Sequence, residues 1–184
     1  MKKFFGKVFG LAILSAGLIF GGCGSSASED TATKTVSAKA VQGQFPKFDA
    51  TDLDGKQVTS EIFAQKKITV LNIWGTFCPP CIGEMPELGE WAKNFPKDAQ
   101  LVGLVCDVGG SDDAKTIGEA KEILQKADAN FLNIVPNKEI LDYLDNIDAV
   151  PTTIFIDAKG NILGESIVGA QVQEYKKILE ELLK

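Results

Sequence analysis

The stretch Ile68-Thr69-Val70-Leu71-Asn72-Ile73 runs straight into Trp74-Gly75-Thr76-Phe77-Cys78-Pro79-Pro80-Cys81, and a helix-like pattern follows from Pro80 to about Asn94. A nearly continuous apolar run of strand length belongs in the middle of a sheet, covered on both faces. The chain therefore has to turn from a buried strand into a helix, and it places two thiols two residues apart on that turn. Thiols so spaced can close a disulfide and reopen it. Two other readings of the pair stay open: unpaired core cysteines, or half of a zinc site. A zinc site needs about four ligands, and the other thiols in the chain are Cys23 and Cys106.

Position gives the two sulfurs different tasks. Cys78 lies where the chain enters the helix, so first-turn amides and the helix dipole put partial positive charge beside it. That lowers a thiol pKa and raises the thiolate fraction. Cys78 is the candidate nucleophile, and Cys81, one turn further in, would resolve the mixed disulfide. Pro79 and Pro80 have no backbone N–H, so two potential donors to the Cys78 thiolate are missing. A less stabilised thiolate means a less stabilised reduced form. The pair is expected to be a reductant, nearer the about −270 mV of thioredoxin than the about −120 mV of a strong oxidant. The other reading of Pro79-Pro80 is that it only shapes the turn.

Charge and missing residue types narrow the chemistry. The 184 residues suit one domain plus a short extra segment. The formal net charge is −6, and the chain has no histidine and no arginine. Setting aside Lys2, Lys3 and Lys7 leaves sixteen lysines against 25 acids, or −9. So acidic a surface argues against nucleic acid or an anionic membrane as an electrostatic partner. Without histidine or arginine there is no imidazole base, no imidazole metal ligand and no guanidinium clamp.

The N-terminus reads as a separate segment. Met1 to Lys7 is basic, Val8 to Phe20 is apolar, and Phe20-Gly21-Gly22-Cys23 follows. A stretch this short, with lysines before it and small residues after it, has the form of a secretory signal. The cysteine behind two glycines resembles a bacterial lipobox, with Phe20 where leucine is usual. The expectation is a lipoprotein signal over residues 1–22, with Cys23 lipidated. The alternative is an ordinary signal that leaves Cys23 a free thiol. Residues 24–44 are rich in Ser, Ala, Thr and Gly. With Cys23 they form a 23–44 tether too poor in apolar residues to order itself. The folded domain is expected over 45–184.

Within that domain, strand-like runs cover Phe45–Asp52 and Lys56–Thr59, with Asp54-Gly55 as the hairpin turn. A helical turn over Ser60–Gln65 has Ser60 as cap, and Leu101–Cys106 is a second buried strand. Helical periodicity covers Asp112–Lys126, Asn137–Leu144 with Asn137 as cap, and Gln171–Leu183. Phe131–Val135, Thr152–Ile156 and Ile162–Val168 read as strands, the last two joined by the turn cluster Asp157–Asn161. Pro86 kinks the long helix. Strands alternating with helices, then a hairpin and a helix, indicate an α/β domain of three layers on a mixed sheet.

Trp74, Cys78, Pro80, Cys81, Pro86 and Val150-Pro151-Thr152 together resemble the thioredoxin superfamily. More narrowly, the chain is similar to its TlpA/ResA-like branch of membrane-anchored, extracytoplasmic members. Three features carry that match: the lead-in Phe48–Lys56, Glu84 three residues after Cys81, and an added helix-strand segment between Asp112 and Val135. The resemblance implies a thioredoxin-like fold, a cis peptide before Pro151, and extracytoplasmic thiol-disulfide exchange with no cofactor beyond the Cys78–Cys81 disulfide. It implies disulfide-containing exported proteins as substrates, such as apocytochrome c or a methionine sulfoxide reductase. It also implies a membrane electron donor of the CcdA/DsbD type.

In that arrangement Val150 and Pro151 border Cys78, and the Val150 N–H and C=O can pair with a substrate strand. A trans proline opening an edge strand is the other possibility. Glu84 would relay the proton as Cys81 deprotonates, or tune the thiols by its charge. Otherwise it is a solvated helix acid. Asn72 stands where thioredoxin has a buried aspartate and cannot exchange protons, so that work falls to Glu84 or water. Trp74 is read as an accessible wall over the disulfide, or alternatively as core. Cys106 and Trp91 are expected in the core, and Gly169 in a turn.

The same residues bear on other functions. Run backwards, the dithiol would form disulfides. A peroxiredoxin-like peroxidase shares the fold but uses an arginine by the thiol, and a copper-delivery module of the Sco type adds a histidine; this chain has neither residue. A redox-inert binding protein for unfolded clients would keep full activity as Cys78→Ala.

Overall fold

The computed structural model describes residues 43–184. The expected signal segment 1–22, Cys23 and all but the last two residues of the 23–44 tether lie outside them. Seven strands, β1 (Asp49–Asp52), β2 (Gln57–Thr59), β3 (Ile68–Trp74), β4 (Ala99–Val105), β5 (Leu132–Val135), β6 (Thr152–Asp157) and β7 (Ile162–Val168), form one sheet in the order β2-β1-β5-β4-β3-β6-β7. Parallel pairing joins β3 to β4 and β4 to β5, and all other neighbours are antiparallel. The mixed sheet follows from the connections: helical crossovers return the chain parallel, and tight turns return it antiparallel.

Helices α1 (Pro79–Lys93), α2 (Ala114–Lys126), α3 (Lys138–Leu144) and α4 (Val172–Leu182) cover the two faces. Met85 and Leu88 of α1, Leu124 of α2 and Leu179 of α4 share a core with Val70, Trp74, Leu101 and Phe155. On the other face Ile140 of α3 and Ile62 and Phe63 of a 3-10 turn meet Leu71, Ile73, Val102 and Ile154. Alternate residues of β3 point to opposite faces, and all seven are buried. This is the three-layer α/β arrangement expected.

Local differences have local causes. No strand starts at Phe45. Phe45 and Phe48 stack edge-on against Phe63, and ladder pairing waits until Asp49 opposes Thr59. Ordered pairing nevertheless begins earlier than expected, since Gln44 bridges Asn161 and the Ile162 N–H donates to the Gly43 carbonyl. The cap of the 3-10 turn is Thr59, whose hydroxyl accepts from the Glu61 N–H, and not Ser60. Asp113 caps α2, and Asn137 caps α3 as the sequence indicated.

Candidate active site

Cys78 is the N-cap of α1, with Pro79 and Pro80 in the first helical positions. Proline suits this turn because its fixed φ is helical and its missing N–H would have had no partner inside the helix. The first amide available is therefore that of Cys81, and it donates to Cys78 Sγ at 3.3 Å. Cys78 and Cys81 form a disulfide, with their Cα atoms 5.3 Å apart. Both are buried, Cys81 completely.

The approach to Cys78 is tied down from the neighbouring strand end. The Thr76 N–H and hydroxyl both donate to the Asp107 carboxylate, the hydroxyl at 2.6 Å. A Cβ at Gly75 would sit 2.6 Å from the exposed Phe77 ring and 3.3 Å from Cys106 Sγ, so the ring would have to move aside.

The Val150–Pro151 peptide is cis, and the Val150 carbonyl oxygen lies 3.5 Å from Cys78 Sγ. Cys78, Pro79, Pro80 and Val150 line one groove of about 660 Å³, floored by Leu144 and Ile147. Phe77 projects beside it and is 67% exposed. An extended chain laid along this groove would meet both the disulfide and the free backbone of Val150.

Glu84 is buried, which excludes a solvated helix acid. It follows Cys81 by three residues, so both project from one side of α1. Asn72 Nδ2 donates to Glu84 Oε1 at 2.9 Å, and the Tyr175 hydroxyl lies 3.1 Å from Oε2. Burial raises the Glu84 carboxyl to about 7, partly offset by the Asn72 amide and the Tyr175 hydroxyl. A carboxyl poised there can take or give a proton at neutral pH.

Trp74 is not an accessible wall. It has no exposed surface and packs with Cys78 and Cys81 inside the core, and its indole N–H donates to Asn133 Oδ1 at 2.8 Å. The ring faces the same side of β3 as Val70, so a buried polar partner satisfies it. Cys106 is half-buried rather than core and lines the groove with Cys78. Burial, with Asp107 adding to it, pushes its thiol up to about 11. Trp91 is half-buried, tilted against Phe95. Gly169 follows β7 at φ +94°.

Sequence reasoning passed over Tyr175 and Asn133. Tyr175 is fully buried, yet its hydroxyl reaches Glu84 and the Gly169 carbonyl. An aromatic hydroxyl on the apolar stripe of a helix needs a buried partner, and that was the available signal.

A disulfide at the tip of a helix, beside the strand end that opens with Pro151 in a mixed sheet, defines a thioredoxin-like thiol-disulfide oxidoreductase. The match to the AhpC/TSA family model over residues 41–164 places the chain in that family, to which it belongs. The chain is similar to the thiol-disulfide oxidoreductase ResA of Bacillus thuringiensis subsp. konkukian (strain 97-27), 31% identical over 140 residues that cover 76% of this chain and 74% of that one. It is 28% identical over 141 residues to the thioredoxin-like protein YneN of Bacillus subtilis (strain 168), covering 76% of each. Among solved structures, a thioredoxin family thiol:disulfide interchange protein from Chlorobium tepidum TLS superposes with a TM-score of 0.63 at 23% identity. That match covers 80% of this chain and 100% of that one. StoA from Bacillus subtilis gives 0.58 at 20% identity, covering 76% and 98%. These two support the fold.

Proposed function

We propose that the chain is a lipid-anchored dithiol reductase working outside the cytoplasm on exported disulfide-containing proteins. The observation that carries the direction is the sparse donor set around Cys78. With Pro79 and Pro80 in the first turn, the Cys81 N–H alone donates to its sulfur among the described residues. A thiolate with one donor is held less firmly than one facing a full first turn, which favours giving electrons away.

The steps balance as two-electron exchange. The Cys78 thiolate attacks a client disulfide, forms a mixed disulfide and expels one client thiolate. Cys81, its proton passed to Glu84, attacks Cys78 Sγ, closes the Cys78–Cys81 disulfide and releases the second client thiolate. The Val150 backbone pairs with the client strand meanwhile. A membrane dithiol donor of the CcdA/DsbD type then returns two electrons. Apocytochrome c and a methionine sulfoxide reductase are the clients that fit such a donor. The basic-then-apolar leader and Cys23 support the anchor, and the likeness to the thiol-disulfide oxidoreductase ResA supports the chemistry.

The test is capture of the client. A full-length Cys81→Ala protein, expressed in its native membrane, should accumulate mixed disulfides through Cys78 that dithiothreitol releases and mass spectrometry identifies as exported cysteine proteins. Absence of any Cys78-linked adduct would contradict the reading.

A further inference from the structure

Three hydrogen-bonding groups crowd one phenol oxygen. The Tyr175 hydroxyl lies 2.6 Å from the Gly169 carbonyl and 3.1 Å from Glu84 Oε2, and the Gln171 N–H points at it from 3.1 Å. A phenol has one proton to give. It cannot donate to Gly169 and to Glu84 together. The shorter contact points the phenol O–H at the Gly169 carbonyl, and the phenol oxygen then faces Glu84 as an acceptor.

With Glu84 neutral, the carboxyl O–H, the phenol and the Gly169 carbonyl all have partners, while Asn72 Oδ1 has none among the described residues. The carboxyl O–H donates to Tyr175, the Tyr175 O–H donates to Gly169, and Gln171 donates to Tyr175. On the other side, Asn72 Nδ2 supplies Glu84 Oε1 and Thr153 Oγ1. With Glu84 ionised, Oε2 has no donor unless the phenol proton leaves Gly169. Gly169 then has an unpartnered carbonyl, at a residue whose own N–H donates to the Pro151 carbonyl at 2.8 Å.

We propose that Tyr175 is the positioning residue for Glu84: it accepts from the neutral carboxyl while donating to Gly169, and on ionisation its proton swings to the carboxylate and releases the Gly169 carbonyl beside Pro151. This deepens the reading of Glu84 as proton acceptor for Cys81. The proton state of the dithiol's neighbour is thereby felt at the strand end that meets the client, through Tyr175, Gly169 and Pro151.

The groups facing Glu84 are few. On α1 they are Glu87, whose charge opposes ionisation and is itself paired with Lys176 of α4, and the Cys78–Cys81 disulfide. On β3 there is Asn72, on β6 Thr153, which also faces the phenol, and on α4 Tyr175, itself raised to about 12 chiefly by burial.

The test is a carbon-13 NMR titration of the oxidised protein from pH 5 to 9, following the Glu84 carboxyl and the Gly169 carbonyl carbons. In the wild type both should move with one shared midpoint. In Glu84→Gln the side-chain amide donates to Tyr175 at every pH, so the Gly169 signal should stay still. In Tyr175→Phe the Gly169 titration should vanish, because no hydroxyl proton remains to swing between the two oxygens. A Gly169 carbonyl that still titrates in Tyr175→Phe overturns the proposal. So does a Gly169 carbonyl that is silent in the wild type or still titrates in Glu84→Gln. Should Tyr175→Phe not fold, the wild type and Glu84→Gln decide alone. No client is needed, so a protein without reductase activity can pass, and an active one can fail.

Discussion

Asn72 and Glu84 meet inside the core, the amide Nδ2 donating to Oε1 at 2.9 Å, on the face of β3 that α1 covers. Asn72 cannot titrate, so the proton exchanged at this place belongs to the helix residue and not to the strand residue.

The first prediction concerns pH. The folded-state value of Glu84, about 7, lies above its ordinary 4.5. Between those values the native state binds more protons than the unfolded chain. The stability owed to the neutral acid is complete below pH 4.5 and is lost as pH rises through 7. The full span is about 3 kcal/mol. Urea unfolding of the oxidised wild type should show this decline between pH 4.5 and 7, and Glu84→Gln should flatten it. An equal slope in both proteins would count against a buried, raised Glu84.

A second prediction concerns the indole of Trp74. Asn133→Ala leaves its buried N–H without an acceptor, at a cost of about 1–3 kcal/mol. Gly103 sits beneath the pair, and a Cβ there would fall 1.9 Å from Asn133 Oδ1 and 3.1 Å from Trp74 Nε1. Gly103→Ala should therefore destabilise the wild type by pushing Asn133 off Trp74. It should cost much less in Asn133→Ala. Additive losses in this double-mutant cycle, measured by denaturant unfolding, would show that the residues do not share one contact.

The third prediction separates the two thiols of the groove. With its thiol near 11, Cys106 is about one part in ten thousand thiolate at pH 7. In the reduced protein iodoacetamide should label Cys78 well before Cys106, as read by peptide mass spectrometry. Comparable rates would contradict the burial assigned to Cys106.

Much of this was legible in the sequence because it is local. The β7 limits, the Asn137 cap and the helix that begins at the Cys-Pro-Pro-Cys turn each depend on a few adjacent residues. Trp74 was misjudged because the acceptor of its N–H comes from β5, 59 residues on. No local pattern tells which end of a buried strand stays covered. Tyr175 was passed over for the same reason: as one apolar-face residue of α4 it reads as packing, and its link to Glu84 spans 91 residues. Phe45 to Phe48 looked like a strand because aromatic residues favour sheets, whereas their rings pack edge-on against Phe63.

The central claim is that Cys78 and Cys81 form a reversible couple poised to donate electrons. Equilibrating the purified protein against graded dithiothreitol or glutathione buffers, with the thiol state read by mass after alkylation, measures this directly. The account predicts a single two-electron transition nearer about −270 mV than about −120 mV. A midpoint at the oxidising end, or a pair of sulfurs that never interconvert, would contradict it.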